Sequence, residues 1–85
     1  MKLIVNADDL GLHAAITRAV LDGAKRGVVT SASVLANGPD IEHVAELAAK
    51  GAFQTLSLGA HLNILRGAPV SGPEEIPSLV GDDGL

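Results

Sequence analysis

The sequence predicts an α/β protein built on a parallel sheet, in the order β-α-β-α-β. Three observations carry that expectation. Apolar runs at Leu3–Asn6, Val28–Leu35 and Leu56–Leu62 alternate with two stretches of helical spacing, Leu12–Lys25 and Ile41–Lys50. The connections between them are short, which favours parallel strands joined by right-handed crossovers. Each run also ends in polar residues, Asn6-Ala7-Asp8-Asp9, Ala36-Asn37 and His61-Leu62-Asn63. Open α/β sheets and closed barrels alike bind ligands at the carboxyl ends of their strands.

Leu3 to Asn6 reads as the first strand, with Ala7 to Gly11 as the loop that follows. In Leu12–Lys25, Ile16, Ala19, Val20 and Gly23 fall on one helical face, while Arg18, Asp22 and Lys25 fall elsewhere. Gly27 is suited to stopping this helix. VVTSASVL, residues 28–35, has the β-branched and small side chains of a second strand. Asn37-Gly38-Pro39 breaks it, and Pro39 or Asp40 can open the next helix. Ile41, Val44, Ala45 and Ala48 share a face, and Gly51 ends that helix. LSLGAHL, residues 56–62, is the third strand. From Arg66 onward Pro69, Pro73 and Pro77 prevent any long helix. Gly81-Asp82-Asp83-Gly84 is a turn signal, after which Leu85 reads as the start of a further apolar element and the chain as part of a larger fold.

Composition narrows the function. The 85 residues carry a net charge of −4, with Lys2, Arg18, Lys25, Arg26, Lys50 and Arg66 dispersed. A basic patch with interleaved aromatics is lacking, so no nucleic-acid partner is expected. No run is long enough to span a membrane or to serve as a signal segment, so the expected compartment is the cytoplasm. There is no cysteine, which removes disulfides and thiolate metal sites and leaves oxygen and imidazole nitrogen as ligands. Phe53 is the one aromatic residue.

The candidate chemistry starts at Asp8 and Asp9. Two adjacent carboxylates beside an apolar core repel one another and resist desolvation, and a bound cation or a proton shared with substrate relieves that cost. They also read as a helix cap and a loop residue. His61, near the end of the third strand, is expected to face the same cleft as Asp9. Carboxylate and imidazole together suit a hard or borderline divalent ion, magnesium or zinc. Two ligands fall short of the three protein ligands usual for catalytic zinc. His13, near the rim, reads as a capping or solvated side chain or as one that reaches substrate, and His43 reads as surface. Asn37 and Asn63 can contact substrate or serve the turns they occupy. Glu74 and Glu75 read as a solvated acidic stretch.

NADDLG after the first strand, VTSASVLANGP around the second and GAHLN at the third resemble the YdjC-like carbohydrate deacetylases, which include the chitooligosaccharide deacetylases. The likeness runs along nearly the whole chain, to PSLVGDDGL. It implies a distorted TIM-like (β/α) barrel of about 250 residues, of which residues 1–85 would be the N-terminal part of a single domain. It also implies hydrolysis of the acetamido group of an amino sugar with the help of a divalent metal. By that resemblance Asp8 matches the catalytic base, Asp9 and His61 match metal ligands, and Asn63 orients substrate. A further histidine ligand would lie later in the family's chain. Leu10 stands where the family has phenylalanine.

Two other readings remain at this stage. A receiver-like domain also binds magnesium at an acidic pair after its first strand. It needs a phosphoacceptor aspartate at the third strand, where this chain has His61-Leu62-Asn63. A non-catalytic fragment or assembly module would use the exposed edge of the third strand to form a homo-oligomer.

Overall fold

The computed structural model describes residues 2–81. Strands β1 (Asn6–Leu10), β2 (Ser31–Val34) and β3 (Ser57–Ala60) form one parallel sheet in the order β1-β2-β3. Helix α1 (Ala14–Lys25) connects the first pair of strands and α2 (Ile41–Ala49) the second. The α/β class and the β-α-β-α-β order are thus as the sequence predicts. Three strands do not close a barrel.

The first strand lies further along the chain than its hydrophobicity suggests. Leu3 and Ile4 precede the sheet and are exposed, while Asn6-Ala7-Asp8-Asp9-Leu10 is the strand itself. The register explains this. Thr30 and Ser31 donate their backbone N–H groups to the Val5 carbonyl, Thr30 Oγ1 accepts from Val5 N, and Asn6 then lies opposite Ser31. The aspartates expected in a loop therefore lie within the strand.

The core joins both helices to one face of the sheet. Leu10, Val20, Ala32, Val44 and Phe53 are buried together, with Ala7, Ile16, Val34, Ile41 and Leu47 packed around them. Each fully buried aliphatic side chain contributes about 1.5–3 kcal/mol. On α1 the buried positions are Thr17, Val20 and Ala24, so the inward face includes a threonine that apolar spacing passes over. His13 caps this helix through Nδ1, which accepts from Ala15 N at 3.0 Å. Arg26 closes its far end, and Gly27 adopts φ +75°.

Thr17 is fully buried and donates its hydroxyl to Asp40 Oδ2 at 2.6 Å. Asp40 stands at the N-terminus of α2, and His43 Nδ1 lies 3.1 Å from the same oxygen. This bond ties α1 to the start of α2. The Thr17 hydroxyl, and after it His43, holds the Asp40 carboxyl below the usual carboxylate range against a smaller opposing effect of desolvation. Beside it, the loops after β1 and β2 meet backbone to backbone. Asp40 N donates to the Gly11 carbonyl at 2.8 Å, and a Cβ on Gly38 would collide with that same carbonyl oxygen. Only glycine fits there.

After β3 the described residues are mostly in turns and bends, with a 3-10 turn at Pro73–Glu75 that leaves Glu74 and Glu75 exposed. The turn signal from Gly81 and the apolar start at Leu85 lie, apart from Gly81, outside the described residues. Among the described residues no helix is long and apolar enough to cross a membrane.

Candidate metal and catalytic site

Asp8 and Asp9 leave the ladder through a bulge. Ala7 pairs with Ala32 and Leu10 with Val34, so β1 inserts one residue more than β2 between the same two rungs. A bulge of this kind bends its strand and re-aims the side chains beside it. Asp9 takes φ +64°, the left-handed region, and is the only non-glycine residue to do so among the described residues. Such a conformation costs a non-glycine residue about 1–3 kcal/mol, less for aspartate than for most. The Asp9 carbonyl then accepts from Leu12 N at 3.0 Å, turning the chain toward α1.

The bulge sends the two carboxylates to different places. Asp8 projects from the sheet face opposite the core, where its Oδ1 accepts from Asn6 Nδ2 at 2.9 Å. Asp9 turns over the carboxyl end of the strands, and its Oδ1 lies 3.3 Å from His61 Nδ1. His61 reaches that position because its backbone continues the ladder past β3, donating to the Val34 carbonyl at 2.8 Å. Both side chains are about one-third exposed. Leu35, Leu62, Ile64, Leu65 and Arg66 complete the wall of an open cleft around them.

The Asp9–His61 contact is short without being a hydrogen bond. Nδ1 of His61 is buried and has no correctly directed partner among the described residues. Buried polar nitrogens are nearly always satisfied, so an orphan aimed at a carboxylate oxygen needs an explanation. His61 Nδ1 and Asp9 Oδ1 lie 3.3 Å apart, close enough for one cation to contact both. The donor set, one carboxylate oxygen and one imidazole nitrogen, is suited to a divalent ion. No group of three or more histidine and acidic side chains converges among the described residues, so the pair is a partial coordination set.

Asn63 is committed to its own loop. Its Oδ1 accepts from Leu65 N at 3.2 Å and Arg66 N at 3.0 Å, and its Nδ2 donates to the Arg66 carbonyl at 2.9 Å. Nδ2 also donates to Asn37 Oδ1, and Asn37 Nδ2 to the Asn63 carbonyl, both at 3.2 Å. The loops after β2 and β3 are thereby clamped beside His61. His13 and His43 serve α1 and α2 and take no part in the cleft.

The model of the YdjC-like protein family matches residues 2–85. The chain belongs to the YdjC-like family. A carbohydrate deacetylase of Brevibacillus brevis is 40% identical over 84 residues, which is 99% of this chain and 32% of that protein. A carbohydrate deacetylase of Halalkalibacterium halodurans is 38% identical over 84 residues, 99% of this chain and 34% of that protein. A crystal structure from Enterococcus faecalis, of a protein provisionally described as a cellobiose-phosphate cleavage protein, superposes with a TM-score of 0.84 at 37% identity. It covers 95% of this chain and 31% of that one. The chain thus spans about a third of the length of the YdjC-like relatives it matches.

The residues around Asp8 were hidden from the sequence. Asn6, Ser31 and Ser33 form a polar network on the open sheet face, which follows from strand periodicity once β1 is extended through Leu10. Ending the strand at Asn6 conceals that Asn6 and Asp8 share a face.

Proposed function

We propose that the chain supplies part of the active site of a metal-dependent carbohydrate deacetylase, which hydrolyses the acetamido group of an amino sugar or chitooligosaccharide. The observation that carries the reading is the pairing of Asp9 with the orphaned Nδ1 of His61 at the carboxyl ends of β1 and β3, with Asp8 adjacent in the chain. The names of the relatives support the reaction class.

An amide carbonyl is a weak electrophile and water a weak nucleophile at neutral pH. Asp9 and His61 would hold a divalent ion, which would serve as a Lewis acid and ease deprotonation of the attacking water. The imidazole nitrogen favours zinc over magnesium. Asp8 takes the proton as the water oxygen bonds to the acetyl carbon. The C–N bond then breaks, and the proton passes from Asp8 to the departing sugar amine, leaving acetate. The two carboxylates divide the work because the bulge separates them. Asn63 serves the substrate through the loop it braces, which presents Leu65 and Arg66 to the cleft.

Acetate release from N-acetylated chitooligosaccharides by the full gene product tests this directly. Turnover is expected to fall with chelator and return with zinc. Asp8→Asn is expected to lower kcat by about 10²–10⁴-fold, the range for loss of a general base, while zinc binding persists. Unchanged turnover in Asp8→Asn refutes the assignment.

A further inference from the structure

The amide of Asn6 is fixed at both ends. Its Nδ2 donates to Asp8 Oδ1 at 2.9 Å and to Ser33 Oγ at 3.0 Å, and its Oδ1 accepts from Ser31 Oγ at 2.7 Å. A carboxylate can only accept, so the nitrogen must face Asp8 and the oxygen must face Ser31. Ser31 and Ser33 project from the same face of β2, opposite the bulge, and leave the amide no freedom to turn over. We propose that Asn6 is a positioning residue for Asp8, holding one carboxylate oxygen so that the other, Oδ2, is presented to the reacting water.

The sheet itself does not need this network. The backbone ladder pairs Asn6 with Ser31 whatever side chain they carry, and the side chains lie on the face away from the core. What the network supplies is direction. Asp8 follows Asn6 by two residues and immediately precedes the left-handed Asp9, so its backbone sits in the distorted part of the strand. A carboxylate there has several rotamers open to it, and a single donor bonded to Oδ1 selects one. Aspartate at position 6 would repel Asp8, and serine would be too short to span Ser31 and Asp8 together.

The inference rests on the deacetylase reading, and the experiment separates the two. kcat, KM and zinc affinity are measured in the full gene product for Asn6→Ala, Ser31→Ala and Asp8→Asn, with acetate release as the assay. Asn6→Ala is expected to lower kcat by about 10–100-fold, the scale of a misplaced catalytic group, with KM and zinc affinity within about twofold of the parent. Ser31→Ala, which leaves the Asn6–Asp8 bond but frees its anchor, is expected to lower kcat a few-fold with the same unchanged KM. An unchanged kcat in Asn6→Ala, or a fall matched by equal changes in KM and zinc affinity, overturns the positioning role alone. Full turnover in Asp8→Asn overturns the deacetylase assignment beneath it.

Discussion

At the scale of single residues, Asp9 concentrates the tension between stability and function. Its left-handed backbone is one that glycine adopts freely and alanine does not. Asp9→Gly is expected to keep or raise the melting temperature, and Asp9→Ala to fall about 1 kcal/mol below Asp9→Gly. Both are expected to lose zinc binding. Equal melting temperatures for the two variants would show that the φ of +64° carries no strain. His61 is the complementary case. Its ring is placed by its backbone bond to Val34, so its orphaned Nδ1 follows from where β3 ends. These positions are partly legible in the sequence, since Asp8, Asp9 and His61 stand beside strand ends. The bulge that separates the aspartates is not, because no residue pattern distinguishes a strand that pairs evenly from one that inserts a residue.

At the scale of elements, periodicity located both helices and all three strands but misjudged β1. The apolar Leu3-Ile4 looked like the strand, whereas hydrogen bonding to Thr30 and Ser31 set the register further along. The inward face of α1 was displaced for a related reason. Thr17 is buried because Asp40 accepts its hydroxyl, a partner 23 residues away that helical spacing cannot reveal. That bond gives the helix pair a pH dependence. The Asp40 carboxyl is held below its usual range, so the stabilisation is complete above the unfolded value of 3.8 and is lost as pH falls through the lower, folded value. His43 and His13 are the other titratable groups acting on it. Thr17→Val is expected to lower the melting temperature at pH 7 and to make acid unfolding begin at a higher pH. An acid transition identical to the parent's would remove Asp40 from the account. In the core, Leu10→Ala is expected to cost about 2–5 kcal/mol, because Leu10 is completely buried.

At the scale of the whole molecule, the described structure is a three-stranded sheet covered by its helices on the core side and open on the other. Both outer strands have a free edge, and Leu62, Ile64, Leu65 and Val70 after β3 are all more than 80% exposed. Such a surface favours association. The 85-residue polypeptide by itself is expected to bind a hydrophobic dye and to elute above its monomer mass of 8.6 kDa. A dye-silent monomer in light scattering would contradict this. The open face is also where Asn6 and Asp8 meet Ser31 and Ser33, so the polar groups assigned to catalysis occupy the side that the core leaves free. The central claim is that Asp9 and His61 together hold a divalent ion beside an independent Asp8. The most direct measurement is a zinc titration of the full gene product followed by imidazole ¹⁵N NMR. The Nδ1 resonance of His61 is expected to shift on binding, His13 and His43 to stay in place, and Asp9→Asn to weaken the response. A shift at His13 or His43 with His61 unmoved, or a His61 response indifferent to Asp9→Asn, would contradict the claim.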